Sequence, residues 1–233
     1  MMTARKTPSG LIERLSAVRG GLSAGAPIAR FTWFKVGGPA EVLFEPADAD
    51  DLATLLADRP ADVPVTVLGV GSNLIVRDGG IPGVVVRLGR GFAAIDVAGD
   101  TITAGAAAHD VNVARRARDE SLAGLEFLSG IPGTVGGTVR MNGGAYGREI
   151  KDVLIDADAL DTKGRRHRLG LDELGLGYRA CAVPEDWIFV AARLRGEPGD
   201  KVGITRRMDE VQAERESTQP VRTPTGGSTF KNP

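Results

Sequence analysis

The sequence predicts an α+β fold made of two small units that each combine short strands with helices. Runs of β-branched and aliphatic residues alternate with segments of helical periodicity, and clusters of glycine separate them. Glycine occurs 32 times in 233 residues, against two tryptophans and two tyrosines. Because glycine is costly to order, such clusters indicate tight loops whose backbone approaches another group closely.

The first unit is predicted over residues 1–90. A helix is expected between Ser9 and Val18, where apolar residues recur at helical spacing until Gly20 and Gly21. A second helix carries Leu52, Leu55 and Leu56 on one face and ends near Pro60. The predicted strands are residues 40–44, 65–68, 74–76 and 84–86.

The second unit is predicted over residues 91–195, and a third over residues 196–233. In the second unit, a helix has Val111, Ala114 and Ala117 on one face. Its predicted strands are residues 95–97, 101–103, 153–160 and 187–190, of which 153–160 is expected to be half-exposed. The third begins with a charged helix on which Ile204, Met208 and Val211 share a face, and it is interpreted as an unfinished domain.

Composition and charge exclude several classes of protein. The formal net charge is −1, which argues against a nucleic-acid partner. No apolar stretch reaches the ~18 residues that span a membrane, and the N-terminus lacks a secretory apolar region. A single cysteine, Cys181, fits a reducing cytoplasm, and together with two histidines it offers too few ligands for a zinc site, so no metal is expected.

A glycine turn follows the predicted strand 65–68. Its two glycines expose consecutive backbone N–H groups, and its serine and asparagine add short polar side chains, an arrangement that suits a pyrophosphate. A Rossmann fingerprint is disfavoured because its third glycine would fall on a leucine, and a plain turn remains an equal alternative. The residues of this turn are Gly69, Val70, Gly71, Ser72, Asn73 and Leu74.

A second glycine-rich segment has few side chains, so its backbone amides are candidates to bind phosphates or a planar heterocycle. A pair of ordinary glycine turns is the less favoured alternative, because a second glycine-rich stretch follows shortly afterwards. That stretch contains Asn142, Gly143 and Tyr146. The segment consists of Gly130, Ile131, Pro132, Gly133, Thr134, Val135, Gly136 and Gly137.

Arg179 and Ser228 are two further candidates for a role in binding or catalysis. Arg179, after Tyr178, has the donor geometry to bind a carboxylate through two hydrogen bonds, although a solvated surface arginine is the alternative. Ser228 lies in a sequence that resembles a hydrolase elbow, but Phe230 replaces the last glycine of that motif. Two interpretations of Ser228 therefore remain open: it is a proton donor, or it is an ordinary loop serine.

Taken together and in this order, these segments resemble the UDP-N-acetylenolpyruvoylglucosamine reductases, the MurB family of peptidoglycan synthesis. The resemblance implies a PCMH-type FAD-binding fold of two α+β subdomains, followed by an incomplete α+β substrate-binding domain. It also implies FAD held without a covalent bond, NADPH as the reductant, and a UDP-sugar enolpyruvyl ether as the substrate. The matching stretches are residues 32–40, 69–73, 126–147, 178–179 and 227–233.

The resemblance also implies roles for single residues. Residues 69–74, 130–134 and 136–137, with Asn142 and Gly143, fall on loops that bind the flavin. Tyr146 and Tyr178 fall near the substrate. Arg179 falls on the arginine that binds the enolpyruvyl carboxylate, and Ser228 falls on the proton donor, with Lys231 and Asn232 completing its loop.

Two departures from the family pattern matter. Cys181 stands where the family commonly has a serine, which is expected to do little harm. The family's catalytic glutamate lies beyond the region matched by residues 1–233, so weak turnover is expected of this chain. The alternatives are a non-catalytic FAD- or nucleotide-binding fragment, and a PCMH-type oxidase that carries a covalent flavin.

Overall fold

The computed structural model describes residues 9–15 and 17–219, which form two compact units. Unit 1 comprises the described residues up to 91 together with residues 162–165, and unit 2 comprises residues 92–161 and 166–219. Among the described residues, no helix combines the length and the apolar character needed to cross a bilayer.

Unit 1 is built on a four-stranded mixed sheet in the order β1-β2-β4-β3. Strands β1 and β2 are antiparallel, whereas β4 runs parallel to both β2 and β3. The elements are α1 (Ser9–Ile12), β1 (Gly21–Pro27), β2 (Pro39–Glu45), α2 (Ala49–Asp58), β3 (Val65–Leu68) and β4 (Ile81–Arg87).

The apolar runs explain which strands are central. Val84, Val85 and Val86 of β4 are completely buried, as expected for a strand with neighbours on both edges and cover on both faces. The predicted helix α2 is confirmed, and Leu52, Leu55 and Leu56 form its buried face.

Three predictions for unit 1 are corrected. The first helix is only one turn long, ending at Ile12. Residues 74–76 belong to a loop rather than a strand, because β3 is followed directly by β4 in the sheet. Strand β1 was not predicted, since its sequence Gly-Leu-Ser-Ala-Gly-Ala-Pro lacks the β-branched and aromatic residues typical of strands.

A buried carboxylate ties the chain before β1 to helix α2. Asp51 is 2% exposed, and its oxygens accept hydrogen bonds from the backbone N–H groups of Arg19 (2.7 Å), Gly20 (2.8 Å) and Ala47 (2.9 Å). Gly20 must lack a side chain, because a Cβ there would lie 2.2 Å from the Glu45 carbonyl oxygen. Asp51 is therefore the common acceptor of three backbone donors.

Unit 2 is built on a five-stranded sheet in the order β11-β10-β12-β6-β5, in which every neighbouring pair is antiparallel. Two short ribbons, β7 with β13 and β8 with β9, complete its strands. The strands are β5 (Ile95–Ala98), β6 (Thr101–Gly105), β7 (Leu122–Ala123), β8 (Gly144–Ala145), β9 (Arg148–Glu149), β10 (Leu154–Leu160), β11 (Arg166–Gly170), β12 (Ile188–Arg195) and β13 (Glu197–Pro198). The helices are α3 (Asp110–Asp119), α4 (Val135–Arg140), α5 (Leu171–Leu174) and α6 (Lys201–Thr218).

Strand β10 is half-exposed, as the sequence predicts. It lies inside the sheet, where Ala157 and Ala159 are buried while Asp156 and Asp158, which alternate with them, are only half-buried. Arg193 of β12 pairs with both aspartates. The face that carries the acidic residues is therefore partly open to solvent and holds an ion pair between neighbouring strands.

Helix α6 has the buried face that the sequence predicts. Ile204, Met208 and Val211 are its buried residues, and the helix packs on α3 and on the 3₁₀ turn Glu126–Gly130. This packing places α6 with unit 2. The assignment of residues 196–233 to a third domain stays a prediction.

We predict that Asp51→Ala lowers the free energy of unfolding by at least about 2 kcal/mol, because three backbone donors lose their acceptor. Urea-induced unfolding of the variant and the wild type measures this difference. The control is Asp58→Ala, at an exposed position of the same helix, which should stay within about 0.5 kcal/mol of the wild type. Equal effects of the two substitutions would contradict the role assigned to Asp51.

Candidate functional site

The loop after β3 in unit 1 presents a run of backbone donors. The N–H groups of Val70, Gly71, Ser72 and Asn73 donate no hydrogen bond to any other residue that the structure describes. Consecutive N–H groups that lack partners form a concave site for an anion. The observation fits the pyrophosphate role that the sequence predicts for this loop.

The glycine at the centre of this loop is required by close packing. Gly71 has φ of +64°, and a Cβ there would lie 2.4 Å from the carbonyl oxygen of Phe31. The Trp33 N–H in turn donates to the Gly71 carbonyl oxygen at 3.0 Å. The segment around Trp33 therefore packs against the loop and holds its backbone in place.

The glycine-rich segment 130–137 of unit 2 differs from the prediction, because many of its amides have partners inside the unit. The N–H groups of Val135 and Gly136 donate to the carbonyl oxygens of Ala108 (3.0 Å) and Ala106 (2.9 Å), and the Asp110 N–H donates to the Gly133 carbonyl oxygen (3.2 Å). Helix α4 begins within this segment, at Val135. The Val135 and Gly136 N–H groups are therefore already used within the unit, and the cofactor contacts expected of this segment stay predictions.

Two glycines of this segment differ in their surroundings. A Cβ at Gly137 would meet no atom within 4 Å, so open space lies beside this glycine. At Gly136 a Cβ would come within 2.9 Å of the Ala106 Cβ, so the glycine is needed there for packing. The backbone at Gly137 is therefore accessible to a ligand.

A buried carboxyl group lies next to this segment. Asp110 is completely buried; its Oδ2 accepts a hydrogen bond from Thr138 Oγ1 at 2.7 Å, and its Oδ1 has no hydrogen-bond partner among the described residues. Burial raises the pKa of Asp110 to about 7, against a smaller lowering by the Thr138 hydroxyl. Asp110 was not predicted as a site residue, since an aspartate in the first turn of a helix is ordinary and gives no sign of burial.

Asn142, expected to bind the cofactor, is engaged within unit 2. It is 2% exposed, its Nδ2 donates to the Gly177 carbonyl oxygen at 3.1 Å, and its Oδ1 accepts from the Lys151 N–H at 3.3 Å. The Gly143 N–H donates to the Thr138 carbonyl oxygen at 2.7 Å. The described contacts of both residues are therefore to the protein.

The structure brings Tyr146 together with Gly130. Tyr146 lies between β8 and β9 with φ of +55°, and a Cβ on Gly130 would be 2.3 Å from its Cε2 atom. The same Cβ would be 2.9 Å from Val211 Cγ1 of α6. Burial, with Glu214 as a smaller contributor, raises the pKa of the Tyr146 hydroxyl. Gly130 is therefore needed so that the tyrosine ring can lie against the backbone.

Tyr178 and Arg179 form the tip of a two-residue turn. Gly177 and Ala180 exchange two backbone hydrogen bonds, of 3.0 and 3.2 Å, on either side of them. Arg179 is exposed, has φ of +54°, and its guanidinium contacts no acceptor within the described ranges. A non-glycine residue in this conformation is uncommon, and such strain is frequent at binding sites.

Ser228, Lys231 and Asn232 lie outside the described residues. Their predicted roles stay predictions, as do the individual roles of the other predicted site residues.

Comparison with known families gives the class of protein. Residues 40–170 match the family described as FAD binding domain, a range that includes the loop after β3, the segment 130–137 and Tyr146. The fold and the site thus define a flavoprotein of the FAD-binding type.

Relatives identify the family. The UDP-N-acetylenolpyruvoylglucosamine reductase of Parvibaculum lavamentivorans is 60% identical over 232 residues, which are 100% of this chain and 75% of that protein. The protein of the same name from Paramagnetospirillum magneticum is 59% identical over 100% of this chain and 75% of its own length. This chain belongs to the UDP-N-acetylenolpyruvoylglucosamine reductase family, as its motifs predict.

Solved structures agree with this assignment. The crystal structure of the reductase MurB from Thermus caldophilus matches with a TM-score of 0.80 and 35% identity, over 93% of this chain and 76% of that one. Phl p 4.0202, a glucose dehydrogenase, matches with a TM-score of 0.61 at 16% identity, over 84% of this chain and 45% of its own, and it shares the fold alone. The predicted α+β fold of the PCMH type is confirmed.

We predict that Asp110 destabilises the folded protein progressively as pH rises from about 4 to about 7. In this window Asp110 keeps its proton in the folded protein, whereas in the unfolded chain, where its pKa is near 3.8, it has released it. The free energy of unfolding therefore falls by at most about 1.4 kcal/mol per pH unit through this residue. Asp110→Asn, which cannot ionise, should remove this part of the decline, as measured by urea unfolding at several pH values.

The matched control is Asp119→Asn at the other end of α3, where Arg118 lowers the pKa of the carboxyl. Its contribution has the opposite sign and is lost as pH falls, so the decline between pH 4 and 7 should persist in this variant. Parallel pH profiles for the wild type and Asp110→Asn would contradict the raised pKa.

Proposed function

We propose that this chain binds FAD non-covalently and uses NADPH to reduce UDP-N-acetylglucosamine enolpyruvate to UDP-N-acetylmuramate, a step of peptidoglycan synthesis. The observation that carries the proposal is 60% identity to a reductase of this name along the full length of the chain. The N–H groups of residues 70–73 support it independently, because they donate to no described residue and are available to an anionic cofactor.

We assign the cofactor pyrophosphate to the loop of residues 69–74, where the N–H groups of residues 70–73 donate to no residue that the structure describes. The segment 130–137 provides the flat surface for the ring system, with open space at Gly137. Most of its contacts with the ring would be through backbone carbonyl groups and van der Waals surface, because its Val135 and Gly136 amides are already used.

The bound flavin supplies hydride chemistry between NADPH and the vinyl carbon of the substrate. The task of the protein is to stabilise the negative charge that develops beside the substrate carboxylate, and then to deliver a proton. Arg179 suits the first task, since its guanidinium is exposed and its donors are free of described protein partners. Fixed donors of this kind act best when they are already in place before the charge forms.

Tyr146 and Tyr178 are assigned to the substrate, together with Lys231 and Asn232. The Tyr146 hydroxyl is protonated at neutral pH, as tyrosine hydroxyls ordinarily are, so it can donate a hydrogen bond; burial raises its pKa further. Ser228 is assigned as the proton donor. An isolated serine is a poor acid, so this role requires its loop to strengthen it or to relay a proton from water.

The proposed setting is the cytoplasm, where the UDP-sugar substrate and NADPH are small-molecule partners. Neither nucleic acid nor membrane is proposed as a partner, in line with the net charge of −1.

We predict that Arg179→Gln slows reduction of the enolpyruvyl substrate by about a hundredfold or more, because a charged hydrogen-bond donor to the carboxylate is lost. Reduction of the flavin by NADPH should change much less. Stopped-flow absorbance of the flavin measures the two half-reactions separately.

The control for this experiment is Arg207→Gln, at an exposed position on α6, which should alter neither half-reaction. Equal losses in both half-reactions of Arg179→Gln would contradict the carboxylate role. A wild-type chain that holds FAD and accepts hydride from NADPH, yet leaves the substrate unchanged, would favour the FAD-binding fragment instead.

A further inference from the structure

One carbonyl group lies at the centre of the turn that carries Arg179. The oxygen of Gly177 accepts a hydrogen bond from the Ala180 N–H at 3.2 Å, which closes the turn, and a second from Asn142 Nδ2 at 3.1 Å. Asn142 immediately follows the C-terminal residues of α4. The turn is therefore attached to a helix end 35 residues earlier in the chain.

The Asn142 side chain is held at both ends of its amide. Its Nδ2 requires an acceptor and finds the Gly177 carbonyl oxygen, while its Oδ1 accepts from the Lys151 N–H. The residue is 2% exposed and has φ of +41°, a backbone conformation that asparagine tolerates better than most residues. The Asn142 side chain is thus held in one orientation within unit 2 by two hydrogen bonds.

The Arg179 side chain is not held by comparable hydrogen bonds within the described residues. Its guanidinium is exposed and bonds to no described residue, so the position of the side chain depends on the backbone of the turn. The hydrogen bond from Asn142 is a tertiary contact that links this turn to the segment carrying Tyr146, four residues beyond Asn142.

We propose that Asn142 is a positioning residue for Arg179: it holds the Gly177–Ala180 turn so that the guanidinium meets the substrate carboxylate. This inference rests on the proposed function and gives Asn142 a role different from the cofactor contact expected from the resemblance. Preorganisation of a charged donor explains why a buried amide is bonded to a surface turn.

The substitution Asn142→Asp tests the hydrogen bond with little change in shape. A carboxylate can still accept from the Lys151 N–H, but it places an oxygen opposite the Gly177 carbonyl oxygen, where the donor was. Asn142→Gly is the second variant; it tolerates the positive φ and removes the side chain altogether. Asn112→Asp, at an exposed position on α3, is the matched control.

The first measurement does not depend on activity. Cys181 is the single cysteine of the chain, lies directly after Ala180, and is half-buried with its Sγ 3.4 Å from the Leu174 carbonyl oxygen. Both Asn142 variants should react with Ellman's reagent about tenfold faster or more, because the loss of the hydrogen bond loosens the turn. An unchanged rate of Cys181 labelling in both variants would contradict the claim that Asn142 holds the turn through its hydrogen bond to Gly177.

The second measurement separates positioning from general stability. Asn142→Asp should slow the substrate half-reaction by about tenfold to a hundredfold and leave flavin reduction by NADPH within about threefold of the wild type. Equal slowing of both half-reactions would overturn positioning of Arg179 and indicate a cofactor contact instead.

The Arg179→Gln variant distinguishes the failure of this inference from the failure of the proposed function. If Arg179→Gln slows the substrate half-reaction and Asn142→Asp does not, positioning is wrong and the function stands. If Arg179→Gln has no effect, the proposed role of Arg179 fails and the positioning claim fails with it, while Cys181 labelling still decides the attachment.

A last measurement applies if neither Asn142 variant folds. Hydrogen exchange of the Asn142 side-chain NH₂ group in the wild type, followed by NMR, then decides. Slow exchange of these protons supports the bond to Gly177, and exchange at the rate of a solvated amide overturns it.

Discussion

The arrangement of unit 2 depends on the backbone pairing between residues 106–110 and residues 133–136. Three hydrogen bonds connect these segments, and glycine at positions 133 and 136 leaves room for their close approach. A Cβ at Gly133 would lie 2.9 Å from Asp110 Oδ2, and one at Gly136 would lie 2.9 Å from the Ala106 Cβ. The glycines thus serve the close approach of two backbone segments, and the flat surface beside Gly137 results from that packing.

The same pairing sets the position of α4 and of the residues that come after this helix. Helix α4 starts at Val135 and ends just before Asn142, whose amide reaches the turn that carries Arg179. Shortly afterwards Tyr146 lies against Gly130 at the start of the glycine-rich segment. Tyr146 and Arg179, the residues assigned to the substrate, both have positive φ, so this part of the unit holds strained conformations through its surroundings.

Sequence patterns reveal the elements with strong periodicity and the family, but not the contacts within the site. Helices α2, α3 and α6 could be predicted because their buried faces repeat at helical spacing. Helix α4 could not, since glycines dominate its first turn, and β1 could not because its residues are poor strand formers. The burial of Asp110 and the two partners of Asn142 arise from tertiary packing, which no local pattern encodes.

The most direct test of non-covalent FAD binding is the visible absorption spectrum of the purified chain after incubation with FAD, recorded before and after denaturation and filtration. We expect a flavin band that accompanies the folded protein and passes through the filter once the protein is denatured. A protein that takes up no FAD would contradict the cofactor-binding roles proposed for residues 69–74 and for residues 130–137. A band that stays with the denatured polypeptide would contradict non-covalent binding and indicate a tethered flavin.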